Sequence, residues 1–255
     1  MLSIRNVTKV FETKERTVVA IEGATLDVRE GEFMSFVGPS GCGKTTLLKV
    51  IDGLIPPSDG QVFLDGEELQ GVSRKMAFVF QDINLLPWRT VVQNVEIGLE
   101  ARGLPPAERR KQAEQALSLV ALESLADTPP YTLSGGMQQR VGVARALATQ
   151  PKVLLMDEPF GHLDNFTRET LQIEVARLWR TIGMTVIFVT HDVDEAIFLS
   201  DRITLFQSSP GRIMEVLDVN LPHPRWEYNV QAEPRAIELR EYIVQKLGVR
   251  QQVTV

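Results

Sequence analysis

Residues 38–45 read Gly38-Pro39-Ser40-Gly41-Cys42-Gly43-Lys44-Thr45, between the apolar run Phe33–Val37 and the helix-like Thr46–Ile51. This is the pattern G-x-x-x-x-G-K-[ST] in the setting it requires, a strand running through a glycine loop into a helix. Each residue type has a physical reason. Glycines let the backbone curl so that successive N–H groups point at one anion. The following helix adds its positive N-terminal end. A lysine neutralises β/γ-phosphate charge, and a hydroxyl in the next position can ligate Mg²⁺. A chance match in a chain of this length arises on the order of once in a hundred. Gly38, Pro39, Ser40, Gly41, Cys42, Gly43, Lys44, Thr45 and Thr46 are therefore predicted to hold a nucleotide's phosphates, with Thr45 on the metal. Cys42, among loop amides and beside Lys44, is an expected target of alkylation that bound nucleotide would block. The loop alone does not separate kinases, GTPases and ATPases.

The rest of the chain reads as α/β. Val62–Leu64, Ala77–Phe80, Val153–Met156 and Thr185–Thr190 are strand-length apolar runs. Before the loop, Val18–Ile21 and Ala24–Val28 read as short separate strands. From Pro105-Pro106 the spacing turns helical, with Ala113, Ala116, Leu117 and Val120 on one face, and about 87–150 is predicted to be mostly helical. Leu171, Val175, Leu178 and Ile182 form a second helical face. Strands alternating with helices imply a mostly parallel sheet. Ile203–Phe206 and Ile213–Val216 read as a hairpin through Ser209-Pro210-Gly211. After Pro234, Leu239, Ile243 and Leu247 line a helix that covers the core.

Composition narrows the class. A chain of 255 residues with 44% hydrophobic and 24% charged residues can build a core. Its net charge of −6 is the wrong sign for a general nucleic-acid binder, so no nucleic-acid partner is expected. No stretch reaches the roughly 18–20 apolar residues of a membrane span, and the N-terminus lacks the features of a secretory signal. The single cysteine excludes an intrachain disulfide framework and suits a reducing compartment.

Val153–Met156 ends in Asp157-Glu158. Ligands of open α/β sheets sit at the carboxyl ends of strands, so Asp157 is placed to hold Mg²⁺ and Glu158 to act as general base on water. Leu133-Ser134-Gly135-Gly136-Met137-Gln138 precedes it by some twenty residues, and a serine with two glycines before Val141–Leu147 makes a helix-start anion site.

With these motifs in this order, the chain resembles the ATP-binding subunits of ABC transporters over about residues 2–222. The resemblance implies a P-loop NTPase (RecA-like) core, a small antiparallel β subdomain and an inserted α-helical signature subdomain. It divides the chain into an ATPase domain, 1–222, with its helical part at about 87–150, and a C-terminal helical tail, 223–255. It implies that Ser134, Gly135 and Gly136 face the γ-phosphate bound to an opposite subunit. Gln81 takes the position of the family's Q-loop glutamine, on Mg²⁺ and the attacking water, and His191 that of its switch histidine. Phe11 takes the position of the ring stacked on adenine. Lys44, Gln81, Glu158 and His191 are then the catalytic set, and Thr45, Gln81 and Asp157 the metal set, with ATP and Mg²⁺ as cofactors. His162, in the D-loop Gly161–Asp164, departs from the small residue usual there. Trp88 reads either as a docking residue for a membrane helix or as a buried structural one.

Leu85–Trp88, Leu133–Val141 and His223-Pro224-Arg225 look most like the nitrate/sulfonate/taurine/bicarbonate importer group. The implied partners are a second ATPase subunit, transmembrane permease subunits and, indirectly, a solute-binding protein, at the cytoplasmic face of the cell membrane. Two other readings stay open: a soluble, non-transport ABC ATPase, and a nucleotide-gated regulatory subunit without hydrolysis. Leu133–Gln138 disfavours a small-molecule kinase.

Overall fold

Some strands of this chain alternate between buried and exposed residues, and others are buried along their whole length. The computed structural model describes residues 1–12 and 16–248. In chain order the elements are β1 (Leu2–Glu12), β2 (Thr17–Val28), β3 (Phe33–Val37), α1 (Lys44–Ile51), β4 (Asp59–Leu64), β5 (Glu67–Glu68) and β6 (Met76–Val79). Helices α2 (Val91–Val95), α3 (Ile97–Ala101), α4 (Pro106–Leu119) and α5 (Gly135–Leu147) follow. The remainder is β7 (Val153–Asp157), α6 (Asn165–Ile182), β8 (Thr185–Thr190), α7 (Val193–Leu199), β9 (Arg202–Gln207), β10 (Arg212–Asp218) and α8 (Pro234–Leu247). Among the described residues, no helix is long and apolar enough to cross a membrane. The chain divides into two compact units, Met1–Ser73 with Thr185–Val255, and Arg74–Met184.

The first unit carries two sheets. One is antiparallel, ordered β2-β1-β4-β5, with Leu2 opposite both Val28 and Leu64. The two short runs expected at 18–28 are one strand, bent at Gly23, whose φ of 60° needs no Cβ. In the other sheet β3 lies between β8 and β9, parallel to both, and β10 pairs antiparallel with β9 as the predicted hairpin. All five residues of β3 and all six of β8 are buried, which is why both read as unbroken apolar runs. Phe33 packs on Phe188 and Phe36 on Phe206, with ring centroids 5.8 and 5.1 Å apart. Leu239 and Ile243 of α8 are buried with Ala196 and Ile197 of α7, Ile203 and Leu205 of β9, and Val37, the last residue of β3. Leu247 packs against the same cluster, so the face predicted for α8 is its inner face.

In the second unit β6 and β7 are parallel, with Val79 opposite Met156. The expected helical stretch is α2–α5, interrupted by short 3-10 turns at Glu123–Leu125 and Pro130–Thr132. Ala113, Ala116, Leu117 and Val120 are buried as predicted. Helix α6 buries Leu171, Val175 and Leu178, but Ile182 is exposed and Trp179 is buried instead. The helix ends there: Gly183 takes a left-handed C-cap, and the last turn leaves the packed face.

Candidate functional site

Val37 of β3 pairs with Thr190 of β8, so Gly38 and His191 leave neighbouring parallel strands at the same end. The loop glycines have different reasons. A Cβ at Gly43 would lie 2.3 Å from the Ala20 carbonyl oxygen, and one at Gly38 would lie 2.7 Å from that of Phe206. Both are fixed by the elements behind the loop. Gly41 has nothing within 4 Å of where a Cβ would stand, so its φ of 76° rather than crowding favours glycine there. Gly211, read from the sequence only as a turn residue, buttresses the loop: its Cβ would meet the Cys42 and Ala20 carbonyl oxygens at 2.2 and 2.4 Å.

Lys44 is buried, and its Nζ donates to the carbonyl oxygens of Gly38 at 2.7 Å and Pro39 at 3.0 Å. The ammonium lies across the loop, held by the loop's own carbonyl oxygens. Helix α1 starts at Gly43 with no side-chain cap and no acidic residue in its first turn, so its positive end is left for an anion. These features fit a nucleotide's phosphates. Cys42 is buried, so the alkylation expected of it requires the loop to open. Phe11 lies on β1 at the surface, not in the core, and Lys9 Nζ stands 5.2 Å from its ring centroid. Lys9 is paired with Ile21, and Ile21 touches the Gly43 position, so this hairpin lies against the loop.

His191 is exposed just beyond β8. The turn that carries it is tightly bonded. The Thr190 hydroxyl donates to the buried Glu195 carboxylate and accepts from the Asp192 N–H at 3.0 Å. The Asp192 carboxylate caps α7, accepting from the N–H groups of Asp194 and Glu195 at 2.9 and 3.1 Å.

The second unit places the acidic residues and the glutamine. Because Val79 and Met156 are in register, Gln81 and Glu158 leave β6 and β7 at the same end. Asp157 is buried. Glu158 has a positive φ of 43°, unusual for a residue with a side chain and a frequent mark of sites where backbone strain serves chemistry. A Cβ at Gly161 would lie 3.5 Å from the Glu158 carbonyl oxygen and 3.7 Å from Gln81 Nε2, so Gln81, Glu158 and Gly161 converge. His162 Nε2 lies 3.8 Å from an Asp82 carboxylate oxygen, with both side chains well exposed.

Two residues that sequence reasoning missed hold the segment after Gln81. Arg145 donates to the carbonyl oxygens of Ile83 and Asn84 at 2.6 and 3.4 Å. Asn94, fully buried, accepts from the Leu86 N–H at 2.7 Å and donates to the carbonyl oxygens of Leu86, Arg89 and Thr90. A polar residue among the apolar positions of α2 was the available signal for Asn94. Trp88 is 76% exposed, which removes the reading of a buried structural tryptophan.

Ser134 is the N-cap of α5, and its hydroxyl accepts from the Met137 N–H at 3.4 Å. Ser134 and Gly135 are exposed, and Gly136 is buried. Gly136 is a contact point as well: its Cβ would lie 2.5 Å from Thr167 Cγ2 on α6.

The structure thus brings the phosphate loop and His191 together in one unit, and Gln81, Asp157 and Glu158 together in the other, which also holds Ser134–Gly136. Among the described residues, no group of three or more His, Cys, Asp or Glu is arranged to hold a metal. Gln81 and Asp157 in the second unit, and separately Thr45 on α1 in the first, offer oxygen donors of the kind that suit Mg²⁺.

The family model described as ABC transporter matches residues 21–161. An ABC transporter ATP-binding protein of Methanocaldococcus jannaschii is 47% identical over 241 residues, 94% of this chain and 88% of that one. The aliphatic sulfonates import ATP-binding protein SsuB of Bacillus cereus is 43% identical over 224 residues, 88% of each chain. Among solved structures, a dimeric ATP-binding cassette in a post-hydrolysis state with ADP and Pi is 36% identical, with a TM-score of 0.77 over 87% of this chain and all of that one.

Proposed function

Because this chain belongs to the ABC transporter family of ATPases, we propose that it is the ATP-hydrolysing subunit of an importer for a small solute, an anion such as nitrate, sulfonate, taurine or bicarbonate. The observation that carries the reading is a pair of helix starts suited to an anion. One is at the phosphate loop, with buried Lys44 and an uncapped α1. The other is the exposed Ser134–Gly135 start of α5. One triphosphate held between these two surfaces on different copies would join two chains head to tail. The sulfonate import function of SsuB supports the direction and the solute class.

In this reading residues 1–222 form the ATPase domain, with the helical part at about 87–150, and the two copies sit against permease subunits on the cytoplasmic side of the membrane, served by a solute-binding protein. Lys44 and the loop amides offset the charge of the β- and γ-phosphates, and Phe11 stacks on the base. Thr45, Asp157 and Gln81 would hold Mg²⁺, which would supply positive charge where the phosphates repel. Glu158 accepts a proton from the attacking water, which Gln81 orients, and His191 donates a hydrogen bond to the γ-phosphate. Phosphoryl transfer to water needs such positioning and charge neutralisation more than covalent help. Loss of the γ-phosphate removes the tie between copies, and the exposed Trp88 region passes the opening to the permease.

Glu158→Gln tests the assignment. It should keep ATP binding, cut phosphate release by about 10²-fold or more, and yield an ATP-dependent dimer by size-exclusion chromatography. Unchanged turnover in this variant would remove Glu158 from the role of base. Absence of phosphate release from the unaltered chain, alone and with its permease, would favour a regulatory subunit.

A further inference from the structure

Helix α7 begins two residues after His191 and spans only seven residues, too few to hold its own geometry in water. What fixes it comes from the chain after β10, beyond the residues 21–161 of the family match. Arg225, buried at 2% exposure, reaches the C-terminal end of α7. Its NH1 donates to the carbonyl oxygens of Ile197 at 2.8 Å, Phe198 at 3.3 Å and Ser200 at 2.7 Å, and NH2 donates to that of Leu221. A guanidinium there satisfies carbonyls that a helix end leaves without partners and opposes the helix dipole. At the other end, Arg240 of α8 pairs with Asp194 in the first turn of α7 at 3.2 Å. Between the two ends, Ala196 and Ile197 share one buried cluster with Leu239 and Ile243.

We propose that the segment from Val219 to Leu247 clamps α7 and so sets the position of His191, with Arg225 and Arg240 as positioning residues. Asp194 and Asp192 join the clamp to the histidine: the Asp192 carboxylate that bonds the Asp194 N–H belongs to the residue next to His191. The effect on catalysis rests on the role given to His191 above, whereas the clamp itself does not.

The test uses the intact chain. Arg240→Glu places a like charge beside Asp194, at a position exposed enough to leave the core intact. Hydrogen–deuterium exchange of the amides of residues 191–197 should speed up by about 3- to 10-fold in this variant, with those of α1 unchanged. Arg240→Lys and the exchanged pair Asp194→Lys with Arg240→Glu should restore the original rates. Phosphate release should follow, with kcat lowered about 3- to 10-fold, KM for ATP held, and recovery in the exchanged pair. Unaltered exchange at residues 191–197 in Arg240→Glu would overturn the clamp. Faster exchange with an unchanged kcat would overturn the positioning of His191. An unaltered chain that hydrolyses no ATP would sink the ATPase assignment instead, and the exchange rates would still decide the clamp.

Discussion

Gly135 and Gly136 stand side by side in one motif and have different reasons to be glycine. A Cβ at Gly135 would meet only Leu163, at an ordinary 3.7 Å, whereas one at Gly136 would drive into the Thr167 methyl group. Gly136→Ala should therefore cost about 1–3 kcal/mol of stability through overpacking, and Thr167→Ser, which removes that methyl, should recover most of the loss in a thermal melt. Gly135→Ala should leave stability within about 0.5 kcal/mol, the usual range of surface changes, yet lower phosphate release, because its new methyl group stands where the partner's phosphate is proposed to lie. A stable Gly135→Ala protein with full turnover would count against that placement. The sequence shows that this motif is glycine-rich but not that one glycine is a packing contact, because the cause is Thr167 on another helix. Gly211 was unreadable for the same reason: what it meets is the Cys42 and Ala20 backbone. The phosphate loop was legible because its chemistry is local, eight consecutive residues that must all face one anion.

Strands buried on both faces were the easiest elements to read. Phe33–Val37 and Thr185–Thr190 are bounded in the structure as their apolar runs predict, since nothing polar can interrupt a strand covered on both sides. Strand β1 was harder. Its alternation is broken by irregular pairing with β2 between Ile4 and Val10, and each shift moves side chains to the other face. Helix α1 hides a different feature, since a polar residue just past an apolar helix reads as exposed. Asp52, its C-cap, is instead buried, and desolvation pushes its carboxyl up to about 6. The sign follows from linkage. Between the ordinary value of 3.8 and the raised one, the folded chain binds the proton more tightly than the unfolded chain, so stability is lost as pH rises through that window. Above it the full cost of a buried carboxylate persists, about 1–2 kcal/mol after discounting for partial solvent contact. Asp52→Asn should then raise Tm by about 2–6 °C at pH 7 and have little effect near pH 4. Thermal melts at the two pH values check it, and equal shifts at both would contradict the assignment.

One copy of the chain supplies a single phosphate loop and a single Ser134–Gly136 helix start, in different units. If the loop of one copy acts with the helix start of another, a defect in either should be correctable by a second chain carrying the opposite defect. Lys44→Ala removes the ammonium from the phosphate loop, and Ser134→Arg places a bulky cation at the exposed N-cap of α5. Neither variant should hydrolyse ATP alone. In a mixed dimer, one site would combine the sound loop of the Ser134→Arg chain with the sound helix start of the Lys44→Ala chain, while the other site would carry both defects. An equal mixture should therefore release phosphate at up to about a quarter of the unaltered rate, since half of randomly paired dimers are mixed and each has one sound site. The recovered rate should rise with protein concentration and vanish on dilution, as an association requires. If each site were built within a single copy, mixing would restore nothing at any concentration, and the head-to-tail pairing would fall while the roles of Lys44 and Glu158 within one chain could stand.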